Sequence, residues 1–534
     1  MPTITAPYGF VPLAETVVHP DWVQLQASEK SLQAPPLHEL PFKDGVCGEL
    51  GFDLVAETPI FSRGAGADTS ESFSVFDRFA LPATAVRGWL RNLVEILSFA
   101  RLRQVNRHRY AVRDLHNRQL YGDHMARIVR DPRTGKQEPM PLVNAGWLQK
   151  RSSGEGYEID VHDFVKIEYR FLTKLAEQRG VRQFQPGDKQ SSVSKYDAWG
   201  EASREVEVTV DFQRPLDAMA GRTLLSEYGQ VRSLGGQKLR TLVFTGQPNR
   251  YKSDPSGNKP EGNKAKHHDF VFFRREARLV LPVSEEVFAD FEFVHSNRGQ
   301  QGRLASAPND EWGHWKPKLE KGERVPVFFL TDDAGEALRA FGLAMMFRLA
   351  CRYDTRQAVE HAQGIPPHDR IDFAEGLFGL VRSPHQTRGD RDQTTRRGAF
   401  ALKGRVDCSH FLGPEKGKCR PSDKVETVLG APKASYYPNY VEQEPGRAGA
   451  PAPSDGAGNP NYTTWQDDGC RPRGWKRYRT MTETWQPPQP RRATGEAASQ
   501  DVLTRFRPLP AGTRFQGSLY LHNVRELELG ALLW

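Results

Sequence analysis

The chain has 534 residues, 38% of them hydrophobic and 26% charged, and 74 Lys and Arg against 66 Asp and Glu leave a net charge of +8. No run approaches the ~18–20 consecutive apolar residues of a membrane-crossing helix, so an integral helical membrane protein is excluded. Residues 1–10 lack a charged-then-apolar leader pattern, and the five cysteines are odd in number with no Cys-x-x-Cys, so a reducing cytoplasm is expected.

Residues 49–57 alternate Leu50, Phe52, Leu54 and Ala56 with Glu49, Asp53 and Glu57, the period of a half-buried strand. A loop carrying Gly64 and Gly66 follows. Residues 81–99 then space Val86, Leu90, Leu93, Val94 and Leu97 as one helical face, with Thr84 placed to cap and Arg87, Arg91, Asn92 and Glu95 opposite. Residues 101–118 are dense in arginine, and their plain reading is a solvated helix face. Strand-like runs occur at 241–246 and 269–283, a loop at 249–266, and a buried helix is predicted at 338–351. An arginine-rich loop spans 382–398, and 444–460 and 486–500 are flexible excursions by composition. Residues 513–521 alternate as a strand, with Phe515, Leu519 and Leu521 inward. A helix opening at 525 stops on Leu532, Leu533 and Trp534 with no cap, so the polypeptide is expected to continue.

Several blocks in order resemble one family. They are APYGFVPL (6–13), PFKDGVCGELGFDLVAETPIFSRG (41–64), LPATAVRGWLRNLVEILSF (81–99), WKPKLEKGERVPVFFL (315–330), DFAEGLFGLV (372–381), KGRVDCSHF (403–411), VLGAPKASYYPNY (428–440), RGWKRYR (473–479) and PAGTRFQGSLYLHNVRELELGALLW (510–534). Together they resemble a long subfamily of CRISPR-associated RAMP proteins, similar to backbone subunits of type III effector complexes. The resemblance implies an α+β fold, with a ferredoxin-like, RRM-type core of a four-stranded sheet on two helices, enlarged by insertions. It divides the chain into an N-terminal arm (1–48), a first half of the core (49–100), an insertion region (101–370) and a second half of the core (371–534). It further implies a guide RNA, a target RNA and neighbouring effector subunits as partners, in a ribonucleoprotein built by head-to-tail contacts. The family's glycine-rich loop after the second core helix has no counterpart here, so the C-terminal part of the core is expected to be missing or supplied by another chain.

The family's helix and glycine loop lie against the guide, which makes Arg63, Gly64, Gly66, Arg87 and Arg91 candidate RNA contacts, continued by Arg101, Arg103 and Arg107. Two segments interleave rings with cations: Lys433, Tyr436 and Tyr437, and Arg473, Trp475, Lys476, Arg477 and Tyr478. Rings stack on unpaired bases while cations hold phosphates; a tyrosine cluster packed at a domain seam is the alternative. Cleavage of target RNA, if this subunit performs it, is implied to need one acidic residue in the loop after the first strand and a divalent ion, Mg or Mn. Asp68, Glu71 and Asp77 are its candidates, against a non-catalytic RNA-binding subunit in which they are solvated carboxylates. His108 with His267, His268 and Asp269 would instead suit metal-independent processing of guide RNA. Cys408, His410, Cys419 and Cys470 match no regular zinc spacing, and no resident metal site is predicted. Walker, HExxH, GxSxG and GxGxxG patterns are missing, so nucleotide hydrolysis by a P-loop, zincin, serine-hydrolase and dinucleotide chemistries have no support.

Overall fold

The computed structural model describes residues 8–20, 22, 41–64, 70–105, 107, 109–115, 117–130, 137–181, 184, 191–200, 204–214, 221–246, 267–275, 277–295, 311–364, 371–382, 400–428, 434–444, 450–451, 460–478 and 503–534. Helices and mostly antiparallel sheets are mixed through the chain. Two compact units form: a central one of residues 108–354 and 444–466, and a discontinuous one of residues 2–107, 355–443 and 467–534.

The discontinuous unit begins with β1 (Tyr8–Val11), β2 (Val46–Val55), β3 (Ser74–Val75), β4 (Arg78–Leu81) and α1 (Ala83–Leu97). In β2 the alternation works as its sequence predicts: Leu50, Phe52 and Leu54 turn inward while Glu49 and Asp53 face out. The α1 stripe of Val86, Leu90 and Val94 packs into the core. Thr84 does not cap this helix; Pro82 is the N-cap residue, and no side chain caps the first turn. Among the described residues of 101–118 the expected α-helix does not form; instead the chain makes a two-residue strand at Ala111–Val112 and a single π-turn at Arg118–Gly122.

The central unit comprises β5 (Asn144–Lys150), β6 (Tyr157–Glu168), α2 (Tyr169–Gln178), α3 (Ser192–Trp199), β7 (Glu205–Arg214), β8 (Tyr228–Val243), β9 (His268–Arg274), β10 (Val280–Val283), α4 (Glu285–His295), α5 (Glu311–Glu320), β11 (Val325–Thr331) and β12 (Leu338–Gly342). The described residues form an eight-stranded sheet in the order β7-β8-β9-β6-β5-β11-β12, with β10 pairing farther along β6. The 269–283 run is thus two strands laid end to end on one partner. Both faces are covered. Trp199, Trp312, Trp315 and Phe291 pack on one, and Tyr121, Met125, Phe270 and Phe328 fill the other, so all of Val325–Thr331 is buried. Residues 338–351 do not form a helix: Leu338–Gly342 adds to β11 as a strand, and Leu349–Ala350 pairs with Ala111–Val112. Leu, Ala and Met are among the strongest helix formers, but a propensity worth a few tenths of a kcal/mol per residue yields to sheet pairing.

The discontinuous unit resumes with α6 (Phe373–Phe378), β13 (Val406–Cys408), β14 (Phe411–Glu415), α7 (Tyr437–Tyr440), β15 (Trp475–Tyr478), β16 (Arg514–Val524) and α8 (Glu526–Leu533). Its described residues form a six-stranded sheet in the order β13-β16-β14-β4-β3, with β2 also on β16. Strand β16 lies between β2 and β13 and is antiparallel to both; in sequence α1 follows β2, and the central unit comes before β13. Phe515, Leu519 and Leu521 are buried as expected. Helix α8 is held by one buried pair: Arg405 donates from Nη1 to Glu528 Oε2 at 2.6 Å and to the Asn523 carbonyl, and from Nε to the Gly376 carbonyl.

Candidate nucleic-acid interface

Strands β1 and β15, far apart in sequence, pair antiparallel with Tyr8 opposite Tyr478 and Phe10 opposite Lys476. Residues directly opposite share a face of the ribbon, and neighbours alternate. Tyr8, Phe10, Lys476 and Tyr478 therefore share one face, while Trp475 and Arg477 point to the other, where Arg477 donates to Asn92 Oδ1 at 2.9 Å. The ribbon depends on Gly474, whose φ is +126° and whose missing Cβ would sit 1.9 Å from the Val11 carbonyl oxygen.

The short α7 is tied to this ribbon. Val441 bridges Pro472, Arg473 N–H donates to the Tyr440 carbonyl at 2.9 Å, and Glu442 N–H donates to the Arg471 carbonyl. The Tyr440 ring then stands 6.0 Å from Tyr8 and 5.4 Å from Phe10. Lys476 Nζ lies 4.0 Å from the Tyr8 ring centre, 5.1 Å from Tyr478 and 5.9 Å from Tyr440, and no carboxylate pairs with it among the described residues. The Arg473 guanidinium rests 5.6 Å over Phe10 and is steadied by Asn439 Oδ1. Tyr478 is 63% exposed and Tyr436 52%. The 434–440 and 471–478 segments thus meet, as a cation among rings with further exposed rings at its rim. Tyr437 is half-buried in α7, and Lys433 lies outside the described residues.

The other predicted contacts sit differently. Arg87 donates to the Val406 carbonyl at 3.0 Å and the Phe378 carbonyl at 2.6 Å, and its guanidinium covers the Phe378 ring. Arg91 binds Glu95 at 2.9 Å and the Gly379 carbonyl at 3.1 Å. Both are spent on holding α1 to the segment around α6 instead of standing free as a phosphate clamp. Arg101 donates to the Gln363 and Gly364 carbonyls, and Arg103 pairs with Glu375 at 3.2 Å. The Arg107 Nε is buried with no hydrogen-bond partner among the described residues.

The glycine loop has a short stem, with Gly64 N–H donating to the Glu71 carbonyl at 3.1 Å and Phe73 N–H to the Ser62 carbonyl. Exposed Arg63 bridges Ser72 and lies 5.2 Å from the Phe61 ring. Gly66 and Asp68 lie outside the described residues. Glu71 pairs with Arg507 at 3.2 Å. Asp77 is exposed, and with Phe76 it forms the β3–β4 turn at φ +63° and +50°, both positive as a tight hairpin requires. Its carbonyl accepts from Lys416 N–H.

Within His267-His268-Asp269 the strand alternation separates the side chains. Asp269 is fully buried against Lys195 Nζ at 3.1 Å and accepts from Thr245 N–H, while His268 sits edge-on to Phe270. A cooperating His–His–Asp cluster is therefore not formed, and His108 lies outside the described residues. Burial pushes the Cys408 thiol up to about 11 and Cys470 to about 12. His410 Nδ1 is occupied in accepting from Ala83 N–H. No three His, Cys, Asp or Glu side chains converge on a cation position among the described residues.

Reasoning from residues passed over Tyr8, Phe10 and Asn92 as site components. Their signal was slight: two aromatic residues two apart at 8 and 10, in a segment too short to announce a partner. No described helix is long and apolar enough to cross a membrane. No protein-family model matches the chain, and no curated protein compared with it matches either.

Proposed function

We propose that the chain is an RNA-binding subunit of RAMP type, which holds a guide RNA within a type III-like CRISPR effector complex in the cytoplasm. The observation that carries this reading is the meeting of Tyr8, Tyr440 and Tyr478 around Lys476, with Arg473 beside them. Exposed rings offer stacking to unpaired bases, and the cations hold phosphates, without any need to read sequence. Sequence is then read by pairing between guide and target RNA.

The strand arrangement lends support. The order β2, α1, then β13 after the central unit, then β16 antiparallel between the two and α8 after it, is the order of a ferredoxin-like core opened by a large insertion. In this reading α1 and α8 are its two helices. Metal-dependent cleavage of target RNA rests on Asp68, with Mg or Mn supplied from solution, because Glu71 is engaged by Arg507 and Asp77 shapes a turn.

The test is to purify the protein with its natural neighbours and sequence the RNA that accompanies it. Short RNAs with one common repeat-derived end and a variable remainder are expected, and their yield should fall in a Lys476→Ala, Tyr478→Ala double variant. RNA-free protein, or a random sample of cellular RNA, would remove the guide-binding reading. If the purified complex cuts target RNA, Asp68→Ala should stop it; an unchanged rate would eliminate the catalytic assignment alone.

A further inference from the structure

The ammonium of Lys476 occupies space that a stacked base would need. Phe10, Tyr440 and Tyr478 stand around Tyr8 with ring centres 5.8, 6.0 and 5.7 Å away, and Lys476 Nζ lies 4.0 Å from the Tyr8 ring centre. A base stacked on a ring brings its atoms to about 3.5–4.0 Å from it. Ammonium and base therefore exclude one another on that face of Tyr8. Tyr8 is half-buried among its neighbours, whereas Tyr478 stays open from outside with Lys476 in place.

Of the two cations at this site, Lys476 is the loosely held one. The Arg473 guanidinium over Phe10 is fixed by Asn439 Oδ1 at 3.2 Å, and the Arg473 N–H is bonded to the Tyr440 carbonyl. Among the described residues Lys476 meets rings, at 4.0, 5.1 and 5.9 Å, and no carboxylate or carbonyl. A cation–π contact at an exposed site is weak, and a charge-assisted bond to a phosphate is stronger. The lysine stem is flexible and carries three rotatable donors. The backbone beneath it is pinned by the pairing of Phe10 with Lys476 and by Gly474 against the Val11 carbonyl. The side chain is thus free to leave the rings without moving the strand.

We propose that Lys476 makes stacking on Tyr8 conditional on a phosphate. In the free protein its ammonium covers the Tyr8 ring. A phosphate of a single-stranded RNA draws the ammonium off, and a base takes its place. The site thereby favours a polynucleotide strand over nucleosides and other flat uncharged molecules, which bring no phosphate. This selectivity rests on the RNA-binding reading of the same surface.

Two measurements on the full-length protein test it. Anisotropy compares a short single-stranded RNA with a methylphosphonate oligonucleotide of the same base sequence, which keeps the bases and carries no backbone charge. Lys476→Ala should tighten the neutral oligomer by about two- to fivefold, the strength of the cation–π contact removed. Adding Tyr8→Leu should abolish that gain. The charged RNA loses a phosphate partner in the same variant and should not share it. A lysine serving only as a phosphate contact would leave the neutral oligomer unchanged, and that result overturns the proposal.

The second measurement reads the side chain itself. Isotope-labelled dimethylation of the lysines keeps their charge, and the Lys476 NMR signal is identified by its loss in Lys476→Arg. Ring currents should place it upfield of the other lysine signals in the free protein, and saturating RNA should return it to their range. A signal without the upfield shift, or one that stays upfield with RNA bound, overturns the proposal and leaves the RNA-binding reading standing. RNA that fails to bind the parent removes that reading, and the proposal with it.

Discussion

Two groups of basic residues in the discontinuous unit look alike in sequence and behave oppositely in the fold. Arg87 and Arg91 stand one turn apart on α1, beside a glycine loop, as a phosphate clamp would. Both reach inward to the carbonyls of Phe378, Val406 and Gly379. Lys476 lies on a two-stranded ribbon whose alternation leaves it among rings, and Arg473, just before that ribbon, rests over Phe10. The difference comes from what backbone is near. The chain around Phe378–Gly379 and Val406 presents carbonyls outside regular pairing, and a guanidinium with five donors satisfies them better than water does once they are half-buried. A lysine on a paired strand meets carbonyls already bonded to the next strand, and the rings beside it do not neutralise its charge. In this unit the arginines that reach unpaired carbonyls hold the fold even where they also cover a ring, as Arg87 covers Phe378, whereas Lys476, with rings around it and no carbonyl to hold, keeps its charge for a ligand.

The largest effect should come from the most enclosed member of the structural class. Arg405→Ala leaves Glu528 buried without its cation and is expected to cost about 3–5 kcal/mol in urea unfolding. Replacing the pair by Arg405→Met and Glu528→Leu should recover most of that loss, since apolar substitutes of similar volume are often neutral. Recovery would show that the cost lies in the stranded charge.

Arg87→Ala tests the comparison directly. Losing hydrogen bonds from a charged donor to two carbonyls should destabilise the unit by about 1.5–3 kcal/mol, with single-stranded RNA affinity unchanged by anisotropy once the fold is secured. A selective loss of RNA affinity at full stability would return Arg87 to the binding class. Tyr478→Ala should do the reverse, weakening RNA by about 1–3 kcal/mol, one stacked base, with no change in melting temperature. Lys476→Ala should make the dependence of log affinity on log salt shallower by about 0.7, the value of one single-strand phosphate, whereas Tyr478→Ala leaves that slope unchanged.

The parts of the fold that were legible in the sequence are those in which one residue spacing decides the element. Leu50, Phe52 and Leu54 name a strand, Val86, Leu90 and Val94 a helix, and Phe515, Leu519 and Leu521 a strand that does lie in the core. The 338–351 segment misled because a mostly apolar run, broken only by Arg339 and Arg348, fits both periods, and only pairing with Phe328–Thr331 decides between them. At the candidate site the chemistry was legible and the geometry was not. Rings and cations at 436–440 and 473–478 could be read as one kind of surface. That they meet depends on Val441 bridging Pro472 and on Tyr8–Val11 pairing across the length of the chain, a contact without a local signal. Nor does a sequence say which way an arginine turns.

The smallest effect concerns the acid beside the structural arginines. Asp372 caps α6 by accepting from Glu375 N–H at 2.8 Å, and it is 2% exposed. Burial, and then the neighbouring Glu375 charge, raise its pKa to about 6, more than the α6 N–H and Arg103 lower it. A carboxyl with a higher pKa folded than unfolded binds its proton more tightly in the folded state. Its ionisation therefore costs stability as pH rises from the unfolded value, about 4, through the folded value of about 6. Asp372→Asn keeps a good cap without the charge. The variant should thus show a higher urea midpoint than the parent at pH 7.5, with the gap closing toward pH 4, where both side chains are neutral. A gap that widened on acidification would mean that the Arg103 and Arg101 cations hold Asp372 ionised in the fold. The 101–107 arginines would then be acting as its counter-charges more strongly than burial opposes them.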